Sequence, residues 1–322
     1  MRAIVYKNYG PPNVLDIHEV EKPTPEDHQV LLKVKAAAVN PLDWHTMRGT
    51  PFLVRLQSGL LTPKDTRLGT DVAGVVVAVG KNVKHFKAGD EVYGGANGAF
   101  AEYACASEKN LMAKPKNLSY EQAAAVPIAA LTALQALRDK GQVKPGQKVL
   151  INGAAGGVGT FAVQIAKAFG AEVTGVCSTR NVELVHSIGA DHTIDYTKED
   201  FTQSDQNYDL ILDAIGNQPL LRCRRVLTPN GTLVMVGSIS KGLLLGPLAR
   251  SLRGLLISRF IRQRFVMMMA SWNKEDLQTI HELLEAGKVV PVIDREYTLT
   301  EVPKAIRYLE EGHARGKVII IM

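Results

Sequence analysis

Cysteine is scarce in this chain. The three present, Cys105, Cys177 and Cys223, are an odd number and lie far apart, which excludes a disulfide framework and fits a reducing compartment. No uncharged apolar run is long enough to span a bilayer. There is no charged-then-apolar leader pattern either. The chain enters Ala3-Ile4-Val5-Tyr6 directly, so the expectation is a cytoplasmic protein. Internal repeats and low-complexity tracts are absent. Acidic residues are missing from one place in particular: residues 242–272 carry Arg250, Arg253, Arg259, Arg262 and Arg264 and no Asp or Glu, so five of the six excess positive charges fall there. The remainder is near neutral, which argues against a general nucleic-acid-binding surface.

What is present is enough chain for two domains with real cores: 322 residues, 46% of them apolar and 22% charged. Residues 1–118 read as mostly β. Ala3–Tyr6, Val14–Glu19, Val30–Ala38, Gly74–Val79 and Glu91–Tyr93 are short Val/Ile/Leu-rich runs separated by Gly and Pro turns, the pattern of a partly closed barrel. The stretch Arg48–Thr66 reads as irregular. At Ser119, with Gln122 three residues on, a capping box opens an Ala/Leu-rich helical segment that stops near Gly141. Strands expected at 148–152, 172–177, 192–195, 208–214, 231–236 and 265–270 then alternate with helices at 158–169, 181–188 and 219–227. Such alternation implies βαβ units and a parallel sheet covered on both faces. The rhythm is lost after Asn273, which caps a helix stopped by Gly287. An extended segment, Val289–Asp294, follows, then a helix capped by Thr300 and a closing strand, Lys317–Ile321.

The chain is organised around Val149-Leu150-Ile151-Asn152-Gly153-Ala154-Ala155-Gly156-Gly157-Val158-Gly159. A strand ends in a glycine turn and a helix opens, with Val158, Ala162, Ile165, Ala166 and Phe169 on one face and Gly170 as its stop. This layout presents backbone N–H groups to a phosphate at a helix N-terminus. The spacing is G-x-x-G-x-x-G rather than G-x-G-x-x-G, because Ala154 holds one glycine position. The alternative, a glycine turn that only tightens a crossover, is weakened by the strand before and the periodic helix after. The next strand ends in Ser178-Thr179-Arg180-Asn181 with no acid for ribose hydroxyls. A hydroxyl and a guanidinium there suit a 2′-phosphate, hence NADPH over NADH; the other reading of Arg180 is a solvated surface residue.

Four stretches together resemble the medium-chain dehydrogenase/reductase superfamily over essentially the whole chain: Val34–Asp43, Gly69–Gly74, Gly153–Gly159 and Gly287–Asp294. Within it the chain is similar to the zinc-free quinone oxidoreductase branch, which includes zeta-crystallin. The resemblance implies a six-stranded, doubly wound parallel α/β sheet (Rossmann), residues 123–271. It would be inserted in a GroES-like, mostly β catalytic domain, residues 1–122 and 272–322, with the active site between the two. It also implies a homodimer through the last sheet strand, Phe265–Ala270.

Zinc-dependent members use a Cys, a His-Glu pair and a later Cys or Asp as ligands. Here Asn40 stands for the Cys and Thr70-Asp71 for His-Glu, poor donors for zinc, so no metal is expected. Asp71 also reads as a turn carboxylate or the partner of an Arg, and His45 as a hydrogen-bonded structural residue. The resemblance implies a nicotinamide met by Thr132 on one side and by Ala214, Ile215, Gly237 and Ser238 on the other. Gly153, Ala155, Gly156, Gly157, Val158 and Gly159 would meet the diphosphate, and Ser178, Arg180 and Tyr196 the 2′-phosphate. Asn40 and Asp43 would line the substrate side, Asn40 as donor to a carbonyl oxygen, or as no more than a turn amide before Pro41. The expected reaction is hydride transfer from NADPH to a quinone or an α,β-unsaturated carbonyl. An NADPH-binding structural protein without turnover and a zinc alcohol dehydrogenase are the alternatives. Residues 242–264 read as a crossover and dimer edge, with peripheral contact to an anionic membrane as the sharper reading.

Overall fold

The computed structural model describes residues 1–237 and 246–322. Residues 1–126 form β1 (Arg2–Val5), β2 (Asp16–Glu19), β3 (Gln29–Val39), α1 (Pro41–Arg48), α2 (Val54–Ser58), β4 (Asp71–Val79), β5 (Glu91–Gly95), β6 (Tyr103–Ser107), β7 (Leu111–Ala113) and α3 (Tyr120–Ala124). Residues 127–271 form α4 (Pro127–Gln135), β8 (Lys148–Asn152), α5 (Gly157–Ala168), β9 (Glu172–Cys177), α6 (Val182–Ser187), β10 (His192–Asp195), β11 (Tyr208–Asp213), α7 (Leu220–Arg225), β12 (Leu227–Met235), α8 (Gly246–Ser258) and β13 (Arg264–Met267). The rest forms α9 (Lys274–Glu285), β14 (Ile293–Thr298), α10 (Val302–Glu310) and β15 (Lys317–Ile321).

Contacts divide the chain into two units. The first holds residues 1–128, 272–285 and 291–322, the second residues 129–271 and 286–290. The expected division put 123–128 in the second unit, whereas α3 packs on β3 and β4 of the first. It also left 286–290 in the first unit. Gln164 of α5 explains the difference: its side-chain amide donates to the Val290 carbonyl at 3.0 Å and accepts the Val290 N–H at 2.8 Å, tying that segment to the second unit.

In the first unit the eleven-residue strand β3 is the axis. It pairs antiparallel with β4, β6 and β15, in a seven-stranded sheet of order β14-β15-β3-β4-β5-β7 with β6 alongside β3. Tyr6, Phe100, Met47, Val302 and Ile306 fill the core beside it. β6 and β7 carry too little Val and Ile for the pattern to reveal them. Arg48–Thr66, expected to be irregular, contains α2.

The second unit is a six-stranded sheet of order β10-β9-β8-β11-β12-β13, parallel at every pairing. This is the doubly wound order, in which the chain reverses direction across the sheet beside the first strand. Helix α5 departs from the expected single apolar face: every residue from Gly159 to Ala166 is buried. A helix apolar all round belongs inside a core rather than on a surface. The last strand covers only Arg264–Met267, shorter than the expected 265–270. No helix among the described residues is long and apolar enough to cross a membrane.

The final helix also starts differently. A 3-10 turn, Leu299–Glu301, leads into it, and the cap of that turn is Thr298 rather than Thr300, because the Glu301 carboxylate accepts both the Thr298 backbone N–H (3.2 Å) and the Thr298 hydroxyl (3.0 Å). Thr298→Ala should therefore cost about 1 kcal/mol in urea unfolding, and Thr300→Ala much less. Equal costs would return the cap to Thr300.

Candidate functional site

In the second unit, β8 delivers the chain into the glycine turn. Gly153 has φ +90, a conformation that side chains rarely adopt. A Cβ on Gly159 would lie 2.0 Å from the Gly153 carbonyl oxygen, so the first turn of α5 presses directly on the loop before it. The N–H groups of Gly153 and Ala154 both donate to the Val176 carbonyl, at 3.2 and 3.0 Å, and that of Gly156 to the Gly153 carbonyl at 3.0 Å. The donors left open are those of the first helical turn, Gly157, Val158 and Gly159, which have no carbonyl within the helix to reach. Ala155 is 5% exposed and lines the turn.

The neighbouring strand ends gather the other residues. β9 and β10 pair in register Cys177 with Asp195, and the Tyr196 N–H donates to the Cys177 carbonyl. Ser178, Arg180 and Tyr196 are thereby brought to one end of the sheet. Ser178 accepts from the Asn181 side chain at 3.2 Å, Arg180 is exposed, and the Tyr196 ring is 54% exposed rather than built into the core.

One acid stands beside them that the strand-end pattern overlooked. The Asp195 carboxylate accepts from the Thr179 hydroxyl (2.5 Å) and from the Thr197 N–H and hydroxyl (3.0 and 2.7 Å), with Lys198 at 3.4 Å. The Thr179 hydrogen bond, with the others, holds it down at about 2. Its acceptor capacity is largely used within the protein.

At the ends of β11 and β12, Ala214, Ile215 and Gly237 pack closely. A Cβ on Gly237 would meet the Ala214 carbonyl oxygen at 2.0 Å. Ser238 lies outside the described residues. Thr132 is buried in α4. Below these loops sits a network that motif reading did not reveal. The fully buried Asp213 accepts from Asn152 (2.8 Å), from the Gly216 N–H (2.8 Å) and from Arg250 (2.7 Å). Arg250 is thus an internal ion-pair partner, not part of an exposed basic surface. Asn152 and Arg250 are ordinary residue types at unremarkable spacing, so only the fold reveals that they meet.

The first unit contains a second polar cluster, built where β3, β4, β15 and α1 meet. Asn40 caps α1 in a capping box: its N–H donates to Asp43 Oδ2 at 2.7 Å. The Asn40 amide nitrogen donates to Asp71 Oδ2 at 2.9 Å, and its amide oxygen accepts from the Lys317 ammonium. Lys317 Nζ lies 3.5 Å from Asp71 Oδ2, and Asp71 Oδ1 accepts the Ile128 N–H at 3.1 Å. All four side chains are at most 3% exposed. Asp71 therefore has a lysine partner, not the expected arginine, and Asn40 is engaged at both ends of its amide. Lys317, 277 residues beyond Asn40, carries no motif and was not singled out from the sequence.

Burial sets the protonation here. It raises the Asp43 carboxyl to about 7, although the N–H groups of Asn40 and Gly69 oppose the shift. It raises Asp71 and lowers Lys317, each partly restored by the other. His45 is also held below its usual value by burial. Its Nδ1 donates to the Thr50 carbonyl at 2.6 Å and its ring stacks on Trp44 at 3.6 Å, a structural placement.

These donors do not suit zinc. An amide oxygen already holds an ammonium, and one carboxylate shares that ammonium. Among the described residues no three His, Cys, Asp or Glu are grouped to hold a metal ion.

Two family descriptions match the chain. Residues 26–116 match the family described as "Alcohol dehydrogenase GroES-like domain" and residues 188–320 the one described as "Zinc-binding dehydrogenase". The chain is 38% identical over 335 residues to the 2-methylene-furan-3-one reductase of Solanum lycopersicum, covering 99% of this chain and 79% of that protein. It is 36% identical over 336 residues to the chloroplastic NADPH-dependent alkenal/one oxidoreductase of Arabidopsis thaliana, with the same coverage. Among solved structures, the quinone oxidoreductase of Coxiella burnetii superposes with a TM-score of 0.88 at 33% identity, covering 100% of this chain and 99% of that one.

Two outcomes follow from the buried cluster. Lys317→Met leaves the Asp71 carboxylate without its counter-charge and should cost about 3–5 kcal/mol in chemical denaturation, with part of the loss recovered by adding Asp71→Asn. No recovery would show that the pair is not coupled. Asp43 binds its proton more tightly folded (about 7) than at its ordinary value of 3.8. Its contribution to stability is therefore full below the ordinary value and is lost as pH rises through the folded one. The melting-temperature advantage of the wild type over Asp43→Asn should shrink between about pH 4 and pH 7 and level off above; a growing advantage would reverse the assignment.

Proposed function

The chain belongs to the quinone oxidoreductase branch of the medium-chain dehydrogenase/reductase superfamily and is an oxidoreductase, and we propose that it reduces quinones or α,β-unsaturated carbonyls with NADPH and without zinc. The observation that carries this reading is the cradle of Gly153–Gly159 with Ser178, Arg180 and Tyr196 gathered at the adjacent strand ends. The cradle has no room for a Cβ at Gly159 and leaves the donors of one helical turn open. Those backbone N–H groups face a diphosphate with the positive end of α5 behind them. Ser178 and Arg180 supply a hydroxyl and a guanidinium to a 2′-phosphate, while the Lys198 ammonium, 3.4 Å from Asp195, offsets the charge of that carboxylate. The name of the Arabidopsis relative, an NADPH-dependent enzyme, supports the same cofactor.

NADPH, when bound, supplies the hydride. Gly237 and Ala214, in close contact, shape the strand-end floor in the second unit. In the first unit, Asn40 and Asp43 are positioning residues: the Asn40 amide is committed to Asp71 and Lys317, so it has little left to offer a substrate carbonyl. A quinone or enone suits a protein with no Lewis acid, since the anion formed on hydride arrival is delocalised over the acceptor itself. His45 keeps its proton on the Thr50 carbonyl, and we assign the proton that follows the hydride to solvent.

Purified, chelator-treated protein should oxidise NADPH with members of a quinone and enone panel at an undiminished rate. Arg180→Ala should raise the NADPH KM roughly tenfold to a hundredfold, the worth of a charge-assisted hydrogen bond, and leave the NADH KM nearly unchanged. NADPH fluorescence quenching without consumption across the whole panel would make the chain a binder rather than a reductase. Activity lost to chelation and restored by zinc would overturn the metal-free reading.

A further inference from the structure

Helix α8 has two apolar faces where one is expected. Its inward face is accounted for. A Cβ on Gly254 would meet Met235 and Phe265 at 3.0 and 3.2 Å, Ile257 packs on the core beneath the sheet, Ser258 accepts the Phe265 N–H at 2.8 Å, and Arg250 reaches Asp213. The opposite face of a surface helix is normally polar. Here it carries Leu252, Leu255 and Leu256, each at least half exposed, and the chain continues to Phe260, 88% exposed.

Basic side chains surround these apolar ones. Arg253, Arg259 and Arg262 are exposed, and α7 adds Arg224 and Arg225 beside Leu221. Arg224, Arg259, Arg262 and Phe260 line an open basin of about 820 Å³, together with Thr228 and Gln263. Asn207 and Gln263, also on its wall, precede β11 and β13. The basin therefore lies at the strand-start end of the sheet, away from the glycine turn at the end of β8. No described carboxylate pairs with Arg224, Arg225, Arg253, Arg259 or Arg262.

We propose that this face docks the protein on an anionic lipid surface, the arginines on phosphate headgroups and Leu252, Leu256 and Phe260 in the boundary below them. Charge selects the occupant. A second copy related by a two-fold axis would set the same arginines against each other. Nucleic acid would satisfy the arginines but leave the leucines and Phe260 in water. An anionic bilayer answers both, with cationic side chains at the headgroups and apolar ones at the acyl boundary. The inference does not rest on the choice of nicotinamide cofactor or acceptor.

Co-sedimentation of the full chain with vesicles tests it. Binding should be strong to phosphatidylcholine mixed with phosphatidylglycerol, absent with phosphatidylcholine alone, and weakened steeply by salt as screening shortens. The Arg259→Gln/Arg262→Gln variant should bind roughly thirtyfold more weakly, from the usual contribution of two basic residues at such a surface. Leu256→Ser/Phe260→Ser should leave only a weak, more salt-sensitive association. Both variants should keep the wild-type urea unfolding midpoint, which shows that they fold.

Equal binding to neutral vesicles, no binding to anionic ones, or an arginine variant that binds like the wild type would overturn the proposal. So would sedimentation velocity showing a wild-type dimer that Leu256→Ser/Phe260→Ser dissociates, since a second copy would then own the face. Duplex DNA retained as tightly as anionic vesicles, with the Leu256→Ser/Phe260→Ser variant unaffected, would assign the face to nucleic acid instead.

Discussion

The second unit depends on how closely α5 approaches the turn that precedes it. Gly159 sits against the Gly153 carbonyl with no space for a methyl group, and the N–H groups of Gly153 and Ala154 are tied back to Val176 on β9. The turn is held from both sides before any ligand arrives. Its remaining donors, those of the first helical turn, point outward because nothing inside can take them. Preorganisation of this kind lets backbone dipoles meet a diphosphate without rearranging. The burial of α5 on all sides has the same origin. A helix so close to its own strand is covered by the sheet on one side and bound through Gln164 to Val290 on another.

The first unit is held at a comparable point by a buried charge. Lys317 begins β15, Asp71 begins β4, and Asn40 follows β3, so one ammonium links three neighbouring strands and the cap of α1. Buried ion pairs add little net stability over apolar packing, but removing one partner is costly because a charge is stranded. The cluster therefore acts as a registry device: these strand ends must meet for the charges to be satisfied. The ammonium occupies the Asn40 amide oxygen and shares Asp71 with the amide nitrogen.

Charge elsewhere is divided in a way composition does not show. Of the five arginines between 242 and 272, Arg250 turns inward to Asp213, and Arg264 leans on Gln142 at 3.2 Å. Arg253, Arg259 and Arg262 remain outward and are joined by Arg224 and Arg225, from a helix outside that stretch. A basic segment of sequence became a basic face only once α7 and α8 were set side by side.

Much of the fold was legible because it is written in local periodicity. The apolar run of β8, the glycines after it, the alternation of strands and helices to β12, and the Ser119 capping box each depend on residues a few positions apart. The glycine turn that opens α5 was readable for the same reason. Where the local signal was thin, in α2, β6, β7 and the choice between Thr298 and Thr300, the pattern was incomplete or misleading. Tertiary structure alone decided the meetings of distant residues: Lys317 with Asn40 and Asp71, Asp213 with Asn152 and Arg250, Gln164 with Val290. Each pairs side chains of ordinary type across long stretches of chain. Periodicity says which way a residue faces, but not which other residue the fold will place opposite it.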